Sequence, residues 1–307
     1  MESYFSRWSR KRVPFTMLFA SVMVGLSLLF AACGSGGSTS TTTANPTAPA
    51  KPSIAAPTDL VTAGTLTVGS DTTYPPQEFV DTASGKAIGF DIDLITAMGQ
   101  RMGLKVDVKK ANFNTIIDDL SAHRYDVAIS AITINDQRKQ KADFVPYFSA
   151  GESLLVAKGN PEKLTSVKQL CGKNVGVQDG TVELDDLNAA NKDCKAAGKP
   201  INLTVLKDQT DVIQLLVNHR VVATYQDSPV TDYYIKLNPG QLEIGGSVVN
   251  AAPEGIAVRK GDSSMLTAMQ NAFKALKSDG TYDSIFSKWQ LNAAQKISVI
   301  DRKSVNA

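Results

Sequence analysis

GFDIDLITAMGQRMGLKVDVKK, residues 89–110, carries two structural periods in 22 residues. In the first part Leu94, Ile95, Met98 and Met102 recur at helical spacing and share one face. Asp91 is placed to cap the start of that helix and Gly103 to stop it. LKVDVKK then alternates apolar and polar residues, the period of a strand covered on one face. Upstream, TLTVGS (65–70) reads as another strand. Strand, helix, strand is a βαβ unit, which calls for a parallel sheet with helices on its faces.

The rhythm continues outward. FNTIIDDLSAHR (113–124) is helical, YDVAISAI (125–132) is a buried strand, a helix starts near Asn135, and SLLVAK (153–158) is a strand. A second unit begins at NVGVQ (174–178), with a helix over about 182–196. INLTVLK, TDVIQLLVNH and VVATYQ follow as strand, helix and strand, and EGIAVRK (254–260) returns as a strand. SSMLTAMQNAFKALKSDG is an amphipathic helix with Leu266, Met269, Phe273 and Leu276 on its apolar face, and YDSIFSKWQ closes the fold. These stripes read as core. The fold class is α/β, with two units of about a hundred residues each.

Charge argues against a nucleic-acid partner. The formal net charge is +2, but residues 1–33 hold Arg7, Arg10, Lys11 and Arg12 against Glu2, leaving the remainder at −1. That basic start precedes VPFTMLFASVMVGLSLLFAA (13–32), an uncharged run that fits an export signal and is also long enough for one membrane span. Ala31-Ala32-Cys33 resembles a bacterial lipobox, with Phe30 at −3, and implies cleavage before Cys33 and its lipidation (palmitate). Residues 34–59 are rich in Gly, Ser, Thr, Pro and Ala and read as a disordered tether. Either reading puts the folded part outside the cytoplasm, on the outer face of the cell membrane. There Cys171 and Cys194 form a disulfide or remain two buried thiols, with no clustered His or Cys to suggest a metal.

Enzyme signatures are scarce. His123 and His219 each sit late in a helix beside an Arg, as surface imidazoles do, and no nucleophile elbow, zinc helix or Walker loop occurs. No cofactor is called for. The carboxyl ends of the strands are more informative, because open α/β sheets bind ligands there. They present Asp71 to Tyr74, Phe113, Ser130 to Thr133, Gly180-Thr181 and Asp227, with Arg138 close by. Arg138 is either a solvated helix residue or a fork for a ligand carboxylate. Gly180-Thr181 offers N–H groups at a helix start. Asp227 either caps a helix or takes an ammonium group. Tyr74 and Phe113 either pack locally or sandwich an aliphatic or cationic side chain.

The blocks VGSDTTYPPQEF, GFDIDL, D-V-A-I-S-A-I-T-x(4)-R, ADFVPYF, VGVQDGT, YQDSP, GIAVRK and SDGTYDSIFSKW resemble, in order, those of the family 3 extracellular solute-binding proteins. The resemblance spans about residues 63–290. It implies a two-lobed clamshell, lobe one at 60–154 plus 256–295, lobe two at 159–250, and a tail at 296–307. It further implies capture of a polar amino acid for an ABC permease by a lipid-anchored monomer. Arg138 would hold the ligand carboxylate with Gly180 and Thr181, Ser130 and Thr133 its polar groups, and Asp227 its ammonium. Asp71 and Tyr74 match the family's acid and aromatic after the first strand, and Asp71 leans toward Arg, Lys or His as ligand. Ala131 stands where many members carry Ser or Gly. Cys171 and Cys194 would both fall in lobe two, as a local staple. The fold also resembles that of cyclohexadienyl dehydratases, for which Glu78 or Glu183 would be the nearest acid, and a ligand-sensing clamshell is a third reading.

Overall fold

A computed structural model describes residues 53–297. The expected signal, Cys33 and most of the tether and tail lie outside the described residues. In chain order the elements are β1 (Thr65–Ser70), β2 (Thr73–Tyr74), β3 (Glu78–Val80), β4 (Ala87–Ile88), α1 (Phe90–Arg101), β5 (Lys105–Lys110), α2 (Ile116–Ser121), β6 (Val127–Ala128), α3 (Asp136–Lys141) and β7 (Ala142–Ala157). Then come β8 (Asn174–Gln178), α4 (Val182–Ala196), β9 (Asn202–Leu206), α5 (Gln209–Val217), β10 (Ala223–Asp227), α6 (Ser228–Leu237), β11 (Leu242–Arg259), α7 (Ser263–Ser278) and α8 (Thr281–Lys288).

One sheet runs in the order β5-β1-β6-β11-β7-β10-β8-β9, and β2, β3 and β4 form a small second sheet. Pairing is parallel at both flanks, β5-β1-β6 and β10-β8-β9. In the middle β7 and β11 run antiparallel, from Leu242 opposite Ala157 to Arg259 opposite Ala142. The strands read at 153–158 and 254–260 are therefore only the ends of strands 16 and 18 residues long. Periodicity hid their length because β7 is buried on both faces and the middle of β11 is exposed on both.

These two strands make the molecule two-lobed. Val145, Tyr147 and Phe148 of β7 pack with Leu66, Leu94, Ile256 and Phe273 in one core. Leu154 and Val156, farther along the same strand, pack with Val175, Val177, Leu187 and Tyr225 in another. The result is an α/β clamshell. The disulfide Cys171–Cys194 staples the second core across a separation of 23 residues, stabilising it by about 3 kcal/mol through the unfolded chain it constrains.

Two expectations change. Asp91 does not cap α1: Gly89 takes that position at φ 137°, where a Cβ would collide with the Gln77 carbonyl. Asp91 turns inward and accepts hydrogen bonds from Tyr147 Oη at 2.6 Å and from the Ala131 N–H at 3.1 Å. The second bond explains the other change. Of the buried strand read over 125–132, only Val127 and Ala128 pair in the ladder. The chain then bends at Ala131, whose φ of 48° is left-handed backbone, and presents its N–H to Asp91.

Candidate functional site

A narrow cavity lies between the lobes, where the loops after β1 and β6 meet the starts of α4 and α6. Eight of the ten residues expected there line it: Tyr74, Phe113, Ser130, Ala131, Thr133, Arg138, Thr181 and Asp227. Val182 and Glu183 complete the lining, and Asp71 and Gly180 do not take part.

Arg138 is fixed from three sides. The Asn135 side chain caps α3 by accepting the Arg138 backbone N–H at 2.8 Å. Nη1 donates to the Thr133 carbonyl at 2.8 Å, and Nη2 to the Gly180 carbonyl at 3.1 Å across the cleft. The guanidinium carbon sits 5.4 Å from the centre of the Phe113 ring. Those two bonds use two of five N–H donors, so the fork is aimed with donors left over. Burial lowers its pKa, opposed by Glu183 and Asp227, but a guanidinium remains charged.

Opposite stand two acids and a phenol. Asp227 holds the N-cap position of α6, yet its side chain makes no capping bond. It accepts from Tyr74 Oη at 2.9 Å, while its own N–H donates to the same oxygen at 3.0 Å. Burial pushes the Asp227 carboxyl up to about 7, against the pull of Tyr74 and Arg138. Glu183, in the first turn of α4, is 2% exposed, and its Oε1 has no hydrogen-bond partner. Burial first, and then Asp227 and Glu152, push its pKa well up.

The hydroxyls are less free than the sequence suggests. Ser130 Oγ donates to Glu78 at 2.8 Å and accepts the Asp71 N–H. Thr181 Oγ1 caps α4 by accepting the Leu184 N–H and donates to the Gln178 carbonyl at 2.8 Å. Asp71 is 1% exposed and accepts from Thr73 Oγ1 at 2.6 Å and Gln178 Nε2 at 2.8 Å. It thus bonds one lobe to the other outside the cavity, and burial raises its pKa to about 6. Gly180 sits at φ 78°, with space for a Cβ only 2.6 Å from Asn114 Cα, so glycine lets the lobes close.

Behind the cavity Glu78, Asp91 and Glu254 form a sealed acidic group. Gln77 Nε2 donates to Glu254, while Glu78 Oε2, Asp91 Oδ1 and Glu254 Oε1 have no hydrogen-bond partner. His123 lies two residues past the end of α2, half-buried and 4.0 Å from Asp126, and His219 two residues past the end of α5, exposed; neither lines the cavity. Among the described residues no group of His, Cys, Asp or Glu converges as metal ligands, and no helix is long and apolar enough to cross a membrane. Reading the sequence for function passed over Val182 as a cavity residue and weighed Glu183 only as an acid. Their position one and two residues beyond the chosen Thr181, on the first turn of α4, was the available signal.

Comparison with known proteins gives the same picture. The chain is 32% identical over 235 residues to the arginine-binding protein ArgT of Corynebacterium glutamicum, covering 76% of each. It is 30% identical over 227 residues to the L-cystine-binding protein TcyJ of Escherichia coli, 74% of this chain and 82% of that one. An ancestral arginine-binding protein solved with arginine aligns with a TM-score of 0.69 and 39% identity, over 74% of this chain and 99% of its own. Residues 66–292 match the bacterial extracellular solute-binding proteins, family 3. With that match running from β1 past α8, and the clamshell shared, the chain belongs to family 3 of the bacterial extracellular solute-binding proteins.

Proposed function

We propose that the protein captures an amino acid between its lobes, outside the cytoplasm, and delivers it to an ABC permease. The observation that carries this is the polarity of the cavity: Arg138 at one pole, Asp227 at the other, from opposite lobes. A ligand carboxylate would take the spare donors of Arg138 and the Thr181 N–H. The ammonium would take Asp227, and Tyr74 and Phe113 would cover the carbon chain. Ser130, Ala131 and Thr133 would shape the wall, while Asp71 and Gly180 would act through closure. Only the closed form satisfies both ends of a zwitterion, so the ligand favours closure. The relatives' names, with arginine and cystine in them, support an amino-acid ligand and keep the lean toward a cationic one.

The two hydrophobic cores support two lobes, proposed at 60–154 with 256–295 and at 159–250 and joined through β7 and β11, although Leu154 already packs in the second core. The lipobox-like Ala31-Ala32-Cys33 supports a lipid anchor. Capture without turnover is the reading adopted. Glu78 is sealed away from the cavity, Glu183 lines it, and an assay with prephenate or arogenate is expected to show no product.

Thermal shift of the full chain against the twenty amino acids tests capture. A ligand at a hundred times its Kd stabilises by about 2.7 kcal/mol, a clear rise in melting temperature. A flat response to all twenty overturns the proposal.

A further inference from the structure

We propose that Glu183 is the specificity-determining acid of the cavity, selecting a ligand with a second positive charge besides its α-ammonium. This rests on the amino-acid reading above and goes one step beyond it. Three charged side chains line the cavity: Arg138 against Asp227 and Glu183. A zwitterion uses Arg138 for its carboxylate and Asp227 for its ammonium, and leaves Glu183 over. A ligand of net charge +1 leaves nothing over.

The geometry of Glu183 fits that task. It is 2% exposed, lines the cavity and keeps Oε1 without a partner; Glu78, Asp91 and Glu254 also keep one oxygen without a partner but lie outside the lining, and Asp227, the other acid of the lining, accepts from Tyr74. Asp71, which the sequence suggested for a cationic side chain, spends its carboxylate on Thr73 and Gln178 and stands outside the lining. A buried acceptor with no donor is costly, and a ligand ammonium or guanidinium removes that cost. Glu183 also sits in the first turn of α4, so the helix dipole supports its ionised form once a cation arrives.

In the empty cavity burial, together with Asp227, Glu152, Tyr225 and Glu254, favours a protonated Glu183, opposed by the bond to its own backbone N–H and by Arg138; Tyr74 stays neutral. A ligand cation would replace that proton. A neutral amino acid would leave it in place. Cation binding therefore carries a proton release that neutral binding lacks.

The experiment is calorimetric titration of the full chain with arginine, lysine and glutamine, in two buffers of different ionisation enthalpy. The wild type is expected to bind arginine or lysine at least a hundredfold more tightly than glutamine, releasing about one proton. Glu183→Gln is expected to lose at least thirtyfold in cation affinity, keep glutamine within threefold and abolish the proton release. Glu183→Asp, which keeps the charge, is expected to retain the preference, so a folding defect in the first variant does not decide the matter. Cation affinity unchanged in a folded Glu183→Gln overturns the assignment, as does a wild type that prefers glutamine; in both cases amino-acid capture still stands. A wild type that binds none of the twenty amino acids overturns capture itself, and this assignment with it.

Discussion

Two groups of buried acids differ in where they sit. Glu78, Asp91 and Glu254 lie outside the cavity lining and take donors from Ser130, the Ala131 N–H, Tyr147 and Gln77. Asp227 and Glu183 line the cavity, with Tyr74 on one oxygen of Asp227. Glu183 keeps Oε1 without a partner, and so do Glu78, Asp91 and Glu254 at one oxygen each, so position rather than hydrogen bonding tells the groups apart. The first group stiffens the wall on which Ser130 and Ala131 are mounted. The second borders the space proposed for a ligand. A buried acid enclosed by protein alone specifies structure, and one that borders a cavity can be completed by what binds there.

Burial raises the carboxyl pKa in both groups, for Asp91 and Asp227 alike to about 7. Burial holds the Asp91 carboxyl at about 7 in the folded chain, against 3.8 for an ordinary Asp. The folded state therefore binds that proton more tightly than the unfolded state. Stability is fully present below about pH 4 and is lost as pH rises toward 7, on the order of 4 kcal/mol for one such group. Burial also pushes Glu78 and Glu254 well up, in the same direction. Denaturant unfolding of the ligand-free chain at about pH 4.5 and about pH 7.5 is expected to show this fall, and Asp91→Asn to make it shallower. A wild-type stability that climbs over this window would mean the sealed acids are ionised in the fold.

Arg138→Ala addresses the cavity-lining group. It strands a desolvated ligand carboxylate and removes the Thr133 and Gly180 bonds, at an expected cost of about 3 kcal/mol, or over a hundredfold in Kd. Calorimetry with the best amino acid from the thermal screen reads it. An unchanged Kd removes Arg138 from the site.

The smallest effects make the sharpest contrast, since the same atom is deleted on each side. Tyr147→Phe takes one donor from Asp91 and is expected to lower unfolding stability by about 2 kcal/mol while leaving the Kd within about twofold. Tyr74→Phe takes the donor from Asp227 and a lobe-to-lobe bond, and is expected to weaken binding about tenfold, or about 1.4 kcal/mol. Were the two variants to swap these effects, the division into sealed and cavity-lining acids would be wrong.

The sequence by itself determined the elements and the chemistry of single residues. Helical spacing in 89–103 and 263–280 and alternation in 105–110 fixed α1, α7 and β5, because periodic burial is a local property that local residues must encode. Strand ends rich in Tyr, Ser, Thr, Arg and Asp pointed to the binding edge, and eight of ten chosen residues do line the cavity. Tertiary structure decided what each polar group is free to do. Asp91, a plausible cap by position, became a buried brace because Gly89 started the helix. Asp71 was diverted to Gln178, 107 residues away, and the hydroxyls of Ser130 and Thr181 were used up by neighbours. The length of β7 and β11 also came from pairing rather than from pattern. A hydrogen bond has two partners, and the sequence around one of them does not contain the other. That is why Glu183, ordinary in its local setting, shows only in the folded chain as a buried acid that lines the cavity with one oxygen unpartnered.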